Sequence, residues 1–387
     1  MKTIKKLFPA ALALFLAAIS ALSLYRCRTL PVSWSVEENR ALASSPALSM
    51  DAIWDGSYTQ AAEDFYRDHI FARARLLKLD TFLQMKLLRR PVVRDVVLGE
   101  DVLLPALAHS GEGSDETLQQ QADVIAKNLQ GALDAAEEVG AELLYTLVPE
   151  QRTVYQNFYP AWAENPGAHT AKNREALLSA LENAGIPVLD MTPIFSALED
   201  PLPYYSRVDH HYTLKGAYLT YQAVCEAFGL PASALTVEDA QTELLGTYSR
   251  KLYGLAAPHE AMQVLKEEFP SYARFDNGAP SDTPLIAART SGYSLYADYM
   301  GGDLGQTVVK TNRPELPKIL IVGDSFTNPL EALAVFDFDE MRSLDYRHFK
   351  GEALPGYIRE YRPDYVLIVR DDVSCLATSG NGALGAK

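Results

Sequence analysis

Apolar and polar positions fall into blocks along this chain, and the blocks predict its elements. An uncharged run of 19 residues, 7–25, follows Lys2, Lys5 and Lys6. As a helix at about 1.5 Å per residue it reaches about 28 Å, enough to span a bilayer. Residues 26–60 read as a stalk and entry segment, in which Ser35-Val36-Glu37-Glu38-Asn39-Arg40 starts a short helix that Ser44, Ser45 and Pro46 break. Between 58 and 90, Phe65, Phe71, Leu76, Leu79, Phe82, Leu83 and Leu87 recur at helical spacing. A strand-like stretch, 92–104, contains a candidate hairpin turn at Gly99-Glu100.

A long helix over 115–139 with Ser114 as cap comes next, then a buried strand over 142–148 ended by Pro149. A helix over 173–184 closed by Gly185 and a strand over 186–189 ending at Asp190 repeat the order. Alternating helices and strands predict an α/β chain: a parallel sheet with helices on its faces and right-handed crossovers. Thr213 caps a helix that runs through Phe228. Residues of about 230–315, rich in Gly, Pro, Ser, Thr and Tyr, have no clean period and read as an irregular insertion, with short strands near Gly292 to Tyr296. The sheet resumes at Ile319 and ends with a strand over 364–369. Residues 376–387, small and polar, read as a frayed tail behind a main domain of 61–375.

Composition narrows the setting. The chain has 387 residues, 48% of them hydrophobic, and a formal charge of -15. That charge argues against nucleic acid as a partner, because such binding rests on clustered Lys and Arg. Cys27, Cys225 and Cys375 are too few and scattered for a disulfide framework or zinc site. The N-terminal lysines stay in the cytoplasm and send the rest outside. Two readings of the first 25 residues stand: a retained signal anchor, or a signal peptide cut after the small-x-small sequence Ala21-Leu22-Ser23. Tyr25 and Arg26 before Cys27 rule out a lipoprotein cleavage box.

One stretch carries candidate chemistry. Ile319-Leu320-Ile321-Val322 reads as a buried strand that stops at Gly323-Asp324-Ser325. Asn328, Pro329 and Glu331 then predict a helix start, with Asn328 as cap and Pro329 as its first residue. A serine on such a turn is well placed as a nucleophile, because N–H groups at a helix start face a developing oxyanion. It needs a base. His210 and His211 stand out, directly after Asp209 and before a helix start. In an extended segment residues i and i+2 share a face, so Asp209 pairs with His211 and His210 points away. The triad is then Ser325 as nucleophile, His211 as base and Asp209 as its orienting acid. Two other readings stand beside it: local structural use of these residues, and a metal site at Asp209, His210 and His211.

Further stretches give a resemblance. SVEENRAL from Ser35, Asp68-His69-Ile70-Phe71-Ala72-Arg73, Val148-Pro149 with Val154-Tyr155, DHHY with Lys215-Gly216-Ala217-Tyr218, GDSF, and Asp345-Tyr346-Arg347 together resemble the DHHW family of bacterial envelope proteins. That family in turn resembles the SGNH hydrolase-like domain of alginate O-acetylation proteins. Tyr212 stands where the family usually has Trp, and Gln151 where it often has Lys. The resemblance implies a three-layer α/β/α SGNH fold and assigns the same roles to Ser325, His211 and Asp209. It also implies acetyl transfer to, or removal from, an extracytoplasmic polysaccharide, with a multi-pass membrane acyltransferase as acetyl source for a transferase; the sequence shows no metal or nucleotide motif, and this chemistry needs no cofactor. A catalytically silent envelope scaffold or polysaccharide-binding protein is the alternative. Three more residues are candidates for substrate contact. Arg347 is placed to hold an anionic or carbonyl group, with an Asp345–Arg347 structural pair as the competing reading. Tyr212 is a candidate sugar-stacking ring, and Asn328 a candidate oxyanion donor as well as a cap.

Overall fold

The computed structural model describes residues 2–29, 33–35, 37–38, 40–106, 113–165, 167–287 and 289–385. Val36 and Asn39 of the SVEENRAL stretch, and residues 386–387 of the tail, lie outside them. The chain divides into two compact units: 1–94 with 250–256, and 95–249 with 257–387.

In the first unit a long helix, α1 (Lys2–Thr29), contains an apolar stretch, Ala11–Thr29, long enough to cross a membrane. Two short strands, β1 (Trp34–Ser35) and β2 (Arg40–Ala41), pair antiparallel. Then come α2 (Met50–Trp54), α3 (Ser57–Asp68) and α4 (Arg73–Phe82), the last continued by a π-helical turn, Leu83–Leu87, and finally β3 (Val92–Val93). The expected stalk is tied in. Arg40 forks onto the buried Asp68 carboxylate at 2.7 and 2.6 Å, and Arg73 Nη2 reaches Glu38 Oε1 at 2.6 Å. The Ser35 and Asp68 motif stretches thus hold each other.

The second unit opens with a hairpin, β4 (Val96–Leu98) and β5 (Leu103–Pro105), turning at Gly99 as expected. It continues through α5 (Asp115–Val139), β6 (Glu142–Val148), α6 (Gln151–Val154), α7 (Gly167–Asn183), β7 (Val188–Asp190), α8 (Thr192–Ser196) and α9 (Leu214–Ala227). Ser114 and Thr213 cap α5 and α9 through their hydroxyls, at 3.2 Å each. After them lie β8 (Val237–Leu244), α10 (Thr247–Lys251), β9 (Ala261–Leu265), β10 (Ala273–Asp276), β11 (Ala279–Pro280), β12 (Tyr293–Ser294) and β13 (Gln306–Lys310). The chain closes with β14 (Lys318–Val322), α11 (Thr327–Ala334), β15 (Glu340–Leu344), α12 (Leu354–Tyr361) and β16 (Tyr365–Asp371).

The central sheet has the order β11-β10-β13-β15-β14-β16-β6-β7. From β15 to β7 it is parallel, and β13, β10 and β11 are added antiparallel. The expected all-parallel sheet is therefore mixed. The added strands come from the supposedly irregular insertion, whose remaining strands form a separate sheet, β12-β8-β9. Side-chain alternation builds the layers. Leu320 and Val322 join α5, α7 and α12 in one core, while the equally buried Ile319 and Ile321 face the side where α9 packs on α11. The tail expected to fray is packed through Leu384: Asn128 Nδ2 donates to Gly382 O at 2.9 Å, and Leu354 N to Leu384 O at 2.9 Å.

Candidate active site

The chain leaves β14 for β15 on one side of it, then crosses to β16 on the other. The carboxyl end of β14 is thus a topological switch point, where an open α/β sheet leaves a crevice. Ser325 sits there, half-exposed, on the turn into α11. Gly323 is required by close approach: a Cβ would lie 2.5 Å from Thr327 Cγ2 and 2.7 Å from Val369 O. Asp324 settles the turn by accepting from Phe326 N at 3.1 Å. The Ser325 N–H has no hydrogen-bond partner among the described residues.

The helix begins two residues earlier than expected, at Thr327, so Asn328 lies inside it rather than capping it. The reason is Thr327. Its hydroxyl bonds Asp324 O at 2.9 Å and Glu331 Oε1 at 2.5 Å, and the buried Glu331 goes on to Ser343 Oγ at 2.6 Å. Burial pushes Glu331 up to about 7, against the Ser343 and Thr327 hydroxyls that donate to it.

The Asp209–His211 segment is brought to the serine. His211 Nε2 lies 2.7 Å from Ser325 Oγ, and His211 Nδ1 lies 2.7 Å from Asp209 Oδ1. Asp209 is buried, and its Oδ2 accepts from Thr247 N at 2.5 Å. Gly246 permits this approach, since a Cβ there would meet Val208 O at 2.5 Å. His210 does not point away as the i, i+2 argument expects. Its Nδ1 lies 3.1 Å from the same Asp209 Oδ1, and its ring lies 3.7 Å from that of His211. The segment is a run of bends rather than a strand, so the two-residue alternation does not apply. Asp209, His210 and His211 have ligand atoms within 4.8 Å of one another. Both Nδ1 atoms nevertheless turn to one carboxylate oxygen, and His211 Nε2 turns to Ser325.

The charges divide unequally. Burial works against the Asp209 charge, but His210 and then His211 outweigh it and hold its carboxyl well below the usual carboxylate range. Burial also opposes a charge on His210, yet Asp209, Glu150 and Asp371 outweigh it and raise the imidazole to about 9. Burial and then the His210 cation lower His211 to about 4, against the pull of Asp209. At neutral pH His210 is the cation and His211 the neutral ring, free to take a proton from Ser325.

The remaining candidates fall differently. Tyr212 is fully buried; its hydroxyl donates to Phe326 O and its ring meets Phe326 edge-on at 5.2 Å. It braces the serine turn from behind and offers no face to a sugar. Arg347 is held by Asp345, with Nη2 at 2.6 Å from Oδ2, and by Asp303 at 2.7 Å, so its charge is already answered. Asn328 Nδ2 donates to the other oxygen of Asp303 at 3.2 Å. Asp303 therefore links two residues that were expected separately at the substrate.

Sequence reasoning missed several groups. Tyr296 stacks on His211 at 3.7 Å and 5°, and its hydroxyl has no partner among the described residues. It comes from the insertion, where no period marks it. Gln151, the departure from the family pattern, donates to Leu103 O at 2.9 Å and Ser206 O at 3.2 Å, while its N–H bonds His210 O at 3.0 Å. Tyr155 donates to Tyr205 O at 2.6 Å. The Val148–Tyr155 motif thus scaffolds the histidine segment.

The family model for the SGNH hydrolase-like domain of acetyltransferase AlgX matches residues 108–278, taking in Asp209 and His211 and ending before Ser325. The probable alginate O-acetylase AlgJ of Pseudomonas syringae pv. tomato is 27% identical over 214 residues, 52% of this chain and 49% of that protein. The match thus spans about half the length of this curated relative. Bacillus cereus PatB1 shares the fold, with a TM-score of 0.60 at 20% identity over 72% of this chain and 96% of that one. A DHHW family protein from Eubacterium siraeum does so at 0.58 and 18%, over 74% and 93%. The chain is thus similar over residues 108–278 to the SGNH hydrolase-like domain of AlgX, similar to AlgJ over about half its length, and similar in fold to a DHHW family protein.

Proposed function

We propose that this protein is a membrane-anchored, extracytoplasmic O-acetyltransferase that moves acetyl groups onto hydroxyls of an envelope or secreted polysaccharide through an acetyl-serine. The observation that carries the reading is the His211 ring held at 2.7 Å from Asp209 on one side and 2.7 Å from Ser325 on the other. Its likeness to AlgX and AlgJ, an acetyltransferase and a probable alginate O-acetylase, supports the choice of acetyl group and polysaccharide.

Ser325 Oγ attacks the acetyl carbonyl carbon of a donor ester while His211 Nε2 takes the hydroxyl proton. Asp209 keeps the proton on Nδ1 and stabilises the imidazolium. The unpartnered Ser325 N–H at the helix start faces the developing oxyanion. Collapse expels the donor's leaving group, which takes the proton back from His211. A sugar hydroxyl then repeats the steps in reverse order, leaving an acetylated acceptor and a free serine. With water in its place the same residues perform acetylester hydrolysis. No step calls for a metal or cofactor. The donor is supplied by a multi-pass membrane acyltransferase in the same bilayer, in keeping with the apolar span of α1.

Ser325→Ala should lower acetyl-ester turnover on the order of 10³-fold or more, and Asp209→Asn should come close to it. The assay follows acetate release and glycan acetylation by the full chain, with and without candidate polysaccharides. Undiminished turnover by Ser325→Ala would sink the assignment. A silent scaffold would also leave Ser325 unlabelled by a serine-directed sulfonyl fluoride.

A further inference from the structure

The first unit differs in charge from the rest of the chain. It holds 16 Lys and Arg against 8 Asp and Glu, a net +8, of which Lys2, Lys5 and Lys6 supply three. The second unit holds 19 against 42, a net -23. The positive excess concentrates in residues 73–94, with seven basic side chains and Asp80 as the single acid. The same stretch is apolar on its surface. Leu76, Leu79, Leu83 and Leu87 recur at spacings of three and four, and all are exposed, Leu87 at 71%. Phe82 is exposed beside them, as are Met50 and Trp54 of α2, Trp54 at 81%. A soluble surface does not ordinarily display leucines and a tryptophan in this density.

The level of this surface relative to α1 follows from two contacts. The Phe71 N–H, in the turn between α3 and α4, donates to Ser23 Oγ at 2.9 Å. Ser23 lies six residues before the end of the apolar span, about 9 Å along the helix axis. Arg26 of α1 also shares a cleft of about 420 Å³ with Trp34, Phe71, Arg73 and Arg75. The turn that starts α4 is therefore packed beside the last turns of the apolar stretch of α1, and arginines of α1 and α4 line one cleft there.

We propose that α4 with its π-helical continuation lies on the surface of the bilayer that α1 spans. Its leucines and the α2 tryptophan enter the acyl boundary, and Arg75, Lys78, Lys86, Arg89 and Arg90 bind anionic phospholipid headgroups. Leucine and tryptophan at an interface, flanked by cations, are the chemistry of an interfacial helix, and anionic lipid adds attraction with each basic residue. This surface rests on the reading of α1 as a retained anchor.

The test uses the full chain in vesicles of phosphatidylcholine with or without phosphatidylglycerol, at high lipid-to-protein ratio. Cys27 is replaced by Ser; Cys225 and Cys375 are buried. Single nitroxides at Leu79→Cys and Leu83→Cys report the face, and one at Leu16→Cys reports α1. The expected result is collision with lipid-dissolved oxygen at all three sites and loss of access to a water-soluble nickel chelate. Lys86→Glu with Arg89→Glu and Arg90→Glu should return the face labels to water while Leu16 stays shielded. Shielding at Leu16 with Leu79 and Leu83 open to the chelate overturns the surface helix alone. Chelate access at Leu16 overturns the anchor reading first. Spin–spin broadening at Leu79 means that a second copy covers the face, and overturns the lipid assignment.

Discussion

His210 is the residue whose placement changes the chemistry most. A face argument sets it apart from Asp209, yet both histidines share one carboxylate oxygen, at 3.1 and 2.7 Å. Two imidazoles on one carboxylate cannot both be charged cheaply, and Asp209 with Glu150 and Asp371 outweighs burial to place the proton on the outer ring. His211, facing His210, Asp209 and Asp303, then stays neutral well below the ordinary imidazole range. The acid limb of kcat/KM should accordingly lie nearer pH 4 than 6.5. His210→Gln removes the cation, lets His211 rise, and should move that limb upward by about one pH unit or more. Its plateau activity should fall far less than that of Ser325→Ala. A pH–rate profile of both proteins is the check, and an unmoved acid limb would show that His210 does not set His211.

At the scale of elements, the regular parts were legible and the inserted parts were not. Helix α5 and strand β6 follow directly from period, cap and proline, because each buries one continuous apolar stripe. The serine turn was legible for the same reason. Strand β15 was not anticipated: Glu340, Arg342 and Ser343 interrupt its apolar pattern, and Ser343 is buried against Glu331. The insertion hid most. Its strands β10 and β13 extend the sheet, and its Tyr296 covers His211, but contacts at such sequence distance leave no local period. Tyr296 yields a prediction at this scale. Its ring packs flat on His211 while its hydroxyl is unpartnered among the described residues, so the ring is what positions the proposed base. Tyr296→Ala should lower kcat roughly 10- to 100-fold, the cost of a misplaced catalytic group, and Tyr296→Phe should keep near-normal kcat. Equal losses in the two variants would assign the hydroxyl a direct part in the reaction.

At the scale of the whole molecule, the excess of acids does not mean an excess of ionised ones. Burial pushes Asp324 up to about 6, Glu331 and Glu260 to about 7, and Asp372 to about 8. Each of these carboxyls keeps its proton in the folded chain at a pH where the unfolded chain has lost it. Unfolding is therefore favoured progressively as pH rises from the ordinary carboxylate range through these raised values, and the penalty is constant above them. His210 adds to the trend, since its raised value makes its contribution full below about 6.5 and lost as pH climbs through about 9. His211 opposes it: the unfolded ring gains a proton below about 6.5 that the folded ring refuses until about 4. One depressed imidazole stands against four raised carboxyls and a raised imidazole, and each tenfold change in proton affinity is worth on the order of 1 kcal/mol. Stability should peak on the acid side of neutrality, and Tm should rise by several degrees between about pH 8.5 and about pH 5.5. Thermal melts across that range test this directly. Glu331→Gln, which keeps an acceptor oxygen for the Thr327 and Ser343 hydroxyls without a titrating group, should flatten the part of the slope below about pH 7. A Tm that instead rises with pH would mean that the buried carboxyls are ionised in the folded chain, Glu331 held as a carboxylate by the two hydroxyls that donate to it.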